Sequence, residues 1–280
     1  MDGAVTVTMH GAVAELLLDR PAKHNAITPD MASAIADAAR AIDADREARV
    51  VLLRGAGERA FCAGSDLNSL AAYPNAWDFR NRVEYATAIR NLRKPVIAAL
   101  QGWTLGGGAE MALSADIRIA AEGIRFGFPE VTRGWVGGGG ASQMLPRMIG
   151  VARAMRMLMT GDPIEAAEAR TFGLFDDVVP QAALLGAARE LANRIAAFSP
   201  VAVQSVKASV RMAMEAPLTA GLRYENEMNV LCFAAGVTWR ASALSPKSAA
   251  RSSRDRPVAR RSEERLGEMN SPKPPPSFGS

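Results

Sequence analysis

The chain has 280 residues, 49% hydrophobic and 22% charged, which suffices for a large core in one big domain or in one domain with an appendage. Nine of its 33 Lys and Arg and four of its 29 Asp and Glu lie from Arg240 onward, so residues 1–239 carry 24 basic against 25 acidic groups, a net of −1. That distribution argues against a nucleic-acid footprint on the folded body, and no apolar run approaches the roughly 20 residues that span a bilayer.

The N-terminus, MDGAVTVTMHGAVAELLLDR, lacks a basic leader and a small-residue cleavage site and does not read as a signal peptide. Val5, Val7 and Met9 alternate with threonines as in a strand. Val13 to Leu18 follows the His10-Gly11 turn as a second strand, so the chain opens on a hairpin. Thr28-Pro29-Asp30 is a helix start, with Thr28 as cap and Pro29 at the first helical position. The helix runs to about Asp43. Arg49 to Arg54 reads as a buried strand closed by Gly55-Ala56-Gly57, and Phe61 to Leu67 as a loop whose small residues permit close backbone approach. A helix is expected from about Ala76 to Asn91.

Pro95 to Asp116 (PVIAALQGWTLGGGAEMALSAD) is the most informative stretch. Val96 to Leu100 suits a buried strand, and Ala109 to Ala115 is rich in helix formers, so a helix should start at Gly106-Gly107-Gly108. A glycine turn feeding a helix leaves free N–H groups aimed at one spot, with the positive end of the helix dipole behind them. Glu110 then sits one turn in, so donors and a carboxylate share a small volume. Farther on come a strand at Ile117 to Ala120, a second carboxylate at Glu130 after Phe126-Gly127-Phe128-Pro129, and a four-glycine turn at Gly137 to Gly140. Helices are expected over Val151 to Met159 and Ile164 to Thr171, then a turn and strand at Gly173 to Pro180. Ala182 to about Met214 is helical with a break at Ser199-Pro200, and Leu218 to Phe233 forms another helix. Strand, glycine turn and helix recur without a fixed-length repeat, which points to a right-handed coil of such units rather than a regular solenoid. The two cysteines, Cys62 and Cys232, lie outside any C-x-x-C or Cys/His motif, and with only His10 and His24 no metal site is expected. So cysteine-poor a chain fits a reducing cytoplasm.

An ordered set of segments resembles the enoyl-CoA hydratase/isomerase (crotonase) family. They are R-P-A-K-H-N-A from Arg20, F-C-A-G-S-D-L from Phe61, K-P-V-I-A-A-L-Q-G from Lys94 and L-G-G-G-A-E from Leu105. D-I-R-I-A from Asp116, F-G-F-P-E from Phe126, L-P-R-M-I-G from Leu145 and L-M-T-G-D-P-I from Leu158 complete it. The resemblance implies an α/β, crotonase-like (ClpP/crotonase) spiral of ββα units over residues 1–195. It also implies a C-terminal helical trimerisation region over 196–236, and assembly as a homotrimer or as a homohexamer made of two trimers.

The activity implied is reversible hydration of a 2-trans-enoyl-CoA. No cofactor is expected, since coenzyme A is part of the acyl-CoA thioester substrate, and neither a metal, a membrane nor a nucleic acid enters. Hydration places enolate charge on the thioester oxygen, which two backbone N–H groups can hold; by resemblance these belong to Ser65 and Gly107. Two carboxylates must then take a proton from water and deliver one to the α-carbon, and Glu110 and Glu130 match the two hydratase glutamates, in that order of role. Lys23, His24, Ala63, Asp66 and Leu67 are the matching substrate and coenzyme A contacts. For Lys23 and His24 a solvated loop is the alternative, and for Asp66 a role in ordering its own loop. Trp103 and Trp135 are candidates for the acyl pocket or for core packing, Cys62 for a small core residue, and Asp116 for structural support. An isomerase of the same fold, or a non-catalytic acyl-CoA-binding or RNA-binding member, are the competing readings.

Two segments depart from the family pattern. The family's I-P-G-x-G-G turn is replaced by Val136-Gly137-Gly138-Gly139-Gly140, and its acidic C-terminal segment by a Ser/Arg/Pro-rich sequence over 237–280. The latter composition implies a disordered basic tail. One codon choice for Gly236 to Asp255, read one base out of frame, spells RDVAGISAFAEERRPVFTG, which restores the family pattern. A frameshift in the gene or its sequencing, or an authentic basic extension, accounts for the change; the nucleotide sequence distinguishes them.

Overall fold

The computed structural model describes residues 3–243. Met1–Ala235 form one compact unit and Gly236–Ser280 a second, of which the backbone is described as far as Ala243. The first strands are β1 (Ala4–His10) and β2 (Val13–Asp19), an antiparallel hairpin. Helix α1 (Pro29–Ala44) follows, and the Thr28 side chain caps it by accepting from Met31 N–H at 3.2 Å.

The chain then alternates between two sheets. β3 (Val50–Gly55), β5 (Val96–Leu100), β7 (Ile117–Ala121) and β10 (Asp177–Val179) extend the hairpin into a six-stranded sheet of order β1-β2-β3-β5-β7-β10. β4 (Ala60–Cys62), β6 (Trp103–Leu105), β8 (Arg125–Gly127) and β9 (Ile164–Glu165) form a second sheet in the order β4-β6-β8-β9. Each of the pairs β3/β4, β5/β6 and β7/β8 sends its first strand to the large sheet and its second to the small one, and helices close each turn: α2 (Ala76–Arg80) and α3 (Tyr85–Arg90), then α4 (Gly107–Ser114), then α5 (Ala141–Ile149) and α6 (Val151–Thr160).

The inner strands β3 and β5 of the large sheet are largely apolar on both faces because both are covered. In β5, Val96, Ala98 and Leu100 enter one apolar cluster with α1, α3 and α4, while Ile97 and Ala99 enter another against α8 (Leu184–Ala196). Continuous apolar runs are the expected pattern for a parallel sheet covered on both sides. Each fully buried side chain such as Ile97 or Leu100 contributes roughly 1.5–3 kcal/mol. Helix α7 (Ala166–Thr171) leads into β10, and α9 (Pro200–Ala213) and α10 (Leu218–Ala243) complete the described chain. Asp116 fastens α9 to the spiral. It accepts from Val96 N–H at 2.8 Å and pairs with Lys207 Nζ at 2.6 Å and with Arg211 Nη2 at 2.9 Å. Lys207 also donates to Lys94 O at 2.7 Å.

Two expectations are corrected. The helix foreseen from Ala76 to Asn91 is two helices, α2 and α3. The chain turns at Asn81 to Glu84, and the Glu84 carboxylate restarts the helix by accepting from Ala86 and Thr87 N–H at 3.2 and 2.7 Å. The helix foreseen from Ile164 to Thr171 begins only at Ala166, because Ile164 and Glu165 pair with β8 as β9; helix α5, after the four-glycine turn, carries Pro146 in its interior. Of the expected disordered tail, residues 237–243 continue helix α10 and residues 244–280 lie outside the described residues. No helix among the described residues is long and apolar enough to cross a membrane.

Candidate active site

Three loops and the first turn of α4 enclose a cavity of about 700 Å³. All nine residues singled out in the sequence line it: Lys23, His24, Ala63, Ser65, Asp66, Leu67, Gly107, Glu110 and Glu130. Trp135 lines it too, whereas Trp103 does not, being half-exposed on β6.

The wall nearest β4 is built by close backbone approach. Gly106 caps α4 with φ of 53° and its N–H donates to Gly127 O at 2.9 Å. A side chain at that φ is strained, and a Cβ there would lie 3.2 Å from Glu130 Oε1. The N–H of Gly107 opens the helix and has no intrahelical acceptor. On the facing loop, a Cβ at Gly64 would lie 3.1 Å from Gly107 N, so the two loops touch here. Ile27 N–H donates to Gly64 O and Asp66 N–H donates to Ile27 O, both at 2.8 Å. This pairing commits the residues on either side of Ser65 and turns the Ser65 N–H away from Ile27.

Glu110 is buried in α4, and its Oε1 accepts from Ala141 N–H at 3.0 Å. Burial pushes its pKa above the usual carboxylate range; the N–H groups of Ala141, Gly139 and Gly140 oppose that shift, and the nearby Glu84 charge adds to it. The glycine turn can approach so closely because it lacks side chains: Cβ atoms at Gly137 and Gly139 would lie 2.5 and 2.7 Å from the two carboxylate oxygens. Arg90 braces the turn from behind through Gly139 O, and its own carbonyl accepts from Arg211. Glu130 stands in the helical turn Pro129–Arg133. It too is raised, by burial first and by the Glu110 charge, with its own backbone N–H opposing. Its Oε2 is buried and has no hydrogen-bond partner among the described residues. The Glu130 carboxylate borders Gly106 and that of Glu110 the glycine turn at 137–139, close enough for the Glu110 charge to act on Glu130, and they differ in support: Glu110 is held by main-chain donors and Glu130 Oε2 has no partner among the described residues.

The loop residues divide. Asp66 orders its own loop, as anticipated from the sequence. Burial raises its pKa, but the Arg20 guanidinium at 2.8 Å and the Asn68 N–H together hold it below the usual range. Its Oδ1 also accepts from Asn68 N–H at 3.0 Å. Lys23 is exposed and His24 half-buried, with a left-handed φ of 52°. Cys62 is fully buried and its thiol is pushed up to about 12 by burial, which leaves it unreactive at neutral pH.

Two site residues carried no signal in the sequence reading. Tyr85, on α3, is buried and its hydroxyl lies 3.1 Å from Ser65 Oγ and directly against the α-carbon of Gly107, so one phenol touches both glycine-rich loops. Asn25 has φ of 53° and is almost wholly buried. Its Oδ1 accepts from Arg20 N–H at 2.9 Å, and its Nδ2 donates to Ala56 O and Ala60 O at 3.0 and 2.9 Å. It therefore ties the Arg20–Ala26 loop to the turn between β3 and β4. Asparagine tolerates the left-handed region better than most residues, the one local hint available. Among the described residues no group of three or more His, Cys, Asp or Glu is arranged to hold a metal ion.

Residues 8–237 match the family model described as enoyl-CoA hydratase/isomerase. The chain is 35% identical over 224 residues to (E)-benzylidenesuccinyl-CoA hydratase of Thauera aromatica, covering 79% of this chain and 88% of that one. It is 36% identical over 232 residues to the short-chain-enoyl-CoA hydratase of Clostridium acetobutylicum, covering 82% and 89%. The crystal structure of an enoyl-CoA hydratase from Bacillus anthracis superposes with a TM-score of 0.75 at 36% identity, covering 82% of this chain and 90% of that one. The spiral of strand pairs and helices is therefore a crotonase fold, and the chain belongs to the enoyl-CoA hydratase/isomerase family.

Proposed function

We propose that the protein is an enoyl-CoA hydratase that adds water reversibly across the double bond of a 2-trans-enoyl-CoA, with no cofactor beyond the coenzyme A of the substrate. The observation that carries this reading is that Glu110, Glu130, Ser65 and Gly107 all line one cavity. The thioester oxygen sits between the N–H groups of Ser65 and Gly107. Glu110, whose ionised form is supported by backbone donors, takes a proton from water as the water oxygen bonds to the β-carbon. The electron pair of the double bond moves into the enolate, whose charge falls on the held oxygen. Glu130, with an unpartnered oxygen and a raised pKa, then delivers a proton to the α-carbon. The proton taken by Glu110 and the one given by Glu130 balance over the cycle once the two groups re-equilibrate. Removing one such oxygen donor costs roughly 2.7–4 kcal/mol of transition-state stabilisation.

Hydration of crotonyl-CoA by Glu110→Gln and Glu130→Gln variants tests the reading. Each substitution should lower kcat by a factor of at least about 10². Movement of a double bond that survives Glu110→Gln would replace the hydratase with an isomerase. No turnover by the intact protein on any enoyl-CoA would leave a binding protein. A trimeric or hexameric assembly belongs to the same proposal. Val206, Val210, Leu218, Leu222 and Phe233 on α9 and α10 are each more than half exposed, and light scattering of the purified protein measures the subunit number. The free thiols of Cys62 and Cys232 accord with a cytoplasmic setting.

A further inference from the structure

We propose that the acyl end of the cavity is built to take an acyl group ending in a carboxylate, and that Arg82 is the residue that recognises it. This rests on the hydratase reading for the direction in which the acyl chain runs.

Arg82 lies in the turn between α2 and α3 and lines the cavity, half-buried. Its guanidinium lies over the Phe79 ring at 4.1 Å, and its Nη1 donates to Phe79 O at 2.9 Å. Its Nη2 packs on the glycine turn, 2.5 Å from where a Cβ of Gly138 would stand. Among the described residues Arg82 pairs with no carboxylate. The nearest acid on its own segment, Glu84, spends both oxygens on the N-terminus of α3. A guanidinium offers five N–H donors in a planar fork that fits a carboxylate. Most of this fork has no protein acceptor, and withdrawing the charge from water without an anion is costly.

Position decides which anion fits. The Glu110 carboxylate lies against Gly137 and Gly139, and Arg82 packs on Gly138 between them. Glu110 must face the β-carbon, so Arg82 lies past that carbon, on the side away from the thioester oxygen and its two N–H donors. A coenzyme A phosphate leaves the thioester in the opposite direction. Arg82 thus meets the far part of the acyl chain. The wall beside it is aromatic: Phe79 stacks edge-on with Tyr73 at 5.5 Å and with Trp135 at 5.3 Å. An apolar chain passes such a wall and its terminal carboxylate reaches the fork. A side chain at position 138 would displace the guanidinium.

The test compares binding of adipyl-CoA and hexanoyl-CoA, equal in acyl length and differing in a terminal carboxylate against a methyl group, by calorimetric titration of the full chain. The intact protein should bind adipyl-CoA tighter by about tenfold. Arg82→Leu and Arg82→Gln should abolish that preference while leaving hexanoyl-CoA affinity unchanged, and Arg82→Lys should keep part of it. Gly138→Ala, which moves the fork without removing it, should narrow the preference if the Arg82 variants fail to fold. An intact protein that binds hexanoyl-CoA as well as or better than adipyl-CoA overturns the proposal. So does an equal loss of both ligands on substitution, the result expected if Arg82 braces the turn or meets a coenzyme A phosphate. Binding is read without turnover, and crotonyl-CoA hydration is measured beside it. Failure of hydration with the preference intact therefore counts against the hydratase, and the reverse counts against Arg82.

Discussion

Replacing Gly107 with alanine tests the oxygen-holding site at its tightest point. The backbone there does not have the positive φ of Gly106, so alanine meets no conformational penalty. The obstacle is Tyr85. The new methyl group would be driven into the phenol oxygen and would lie 2.9 Å from the ring carbon that bears it, where ordinary contact begins at 3.4 Å. The ring must therefore retreat by about half an ångström, and the hydroxyl by more, or the first turn of α4 must tilt. Tyr85 is almost fully buried and backed by Cys62 and α4, so the helix turn and its N–H share the displacement. A misplacement of about 1 Å in a reacting constellation costs on the order of 10²-fold. We expect kcat/KM for crotonyl-CoA hydration to fall by that factor, with the thermal midpoint changed by only a few degrees. Adding Tyr85→Phe should recover part of the loss, since it removes the worst contact and leaves the ring carbon. A Gly107→Ala enzyme within threefold of the parent would refute the argument that these two loops hold the thioester oxygen.

Three further outcomes follow from the same structure. The log of kcat/KM against pH should be bell-shaped, falling on the acid side as Glu110 gains a proton and on the basic side as Glu130 loses one. Both carboxyl pKa values are raised, so the acid limb should lie above the ordinary glutamate value of about 4.3, with apparent values that belong to the pair; an acid limb at or below that value contradicts the burial argument. Asn25→Ala removes three hydrogen bonds, two of them buried, and puts alanine in place of the better-tolerated asparagine at φ of 53°, and should cost about 3 kcal/mol of unfolding free energy in denaturant titration. Lys207, lowered to about 8 by burial despite its Asp116 partner, holds fewer protons folded than unfolded between that pH and the free lysine value of about 10.4. Stability from this group therefore rises with pH through that window, and Lys207→Met should flatten the rise.

Much of the spiral could be read from short segments because their patterns are locally determined. Val96 to Leu100 is apolar throughout because both faces of β5 are covered, and Thr28-Pro29 starts α1 because a cap and a first-turn proline act within four residues. The glycine triplet was legible for a similar reason: a helix that begins on glycine leaves its first N–H groups free, whatever lies opposite. What stayed hidden depends on contacts between distant residues. Nothing near Tyr85 distinguishes it from a core aromatic, and only the packing of α3 against α4 brings its hydroxyl to Gly107 and Ser65. The break between α2 and α3 was missed because helix-forming residues continue through it, although Glu84 had the spacing of a cap. Helix α5 was missed because Pro146 and four preceding glycines argue locally against a helix that Leu145 and Ile149 secure by burial. The pairing of Arg82 with Gly138 joins segments from two different turns of the spiral, which periodicity alone does not relate.

The turn that cradles Glu110 has a consequence for timing. Its amides lower the proton affinity of a carboxylate that burial raises. If the turn lifts while a substrate enters or a product leaves, that carboxylate sheds its donors and exchanges them for solvent. Basicity at this position is then a property of the closed state, set when the turn seats and relinquished when it opens. A substitution that displaces the turn should therefore change the proton affinity of Glu110 without touching its side chain.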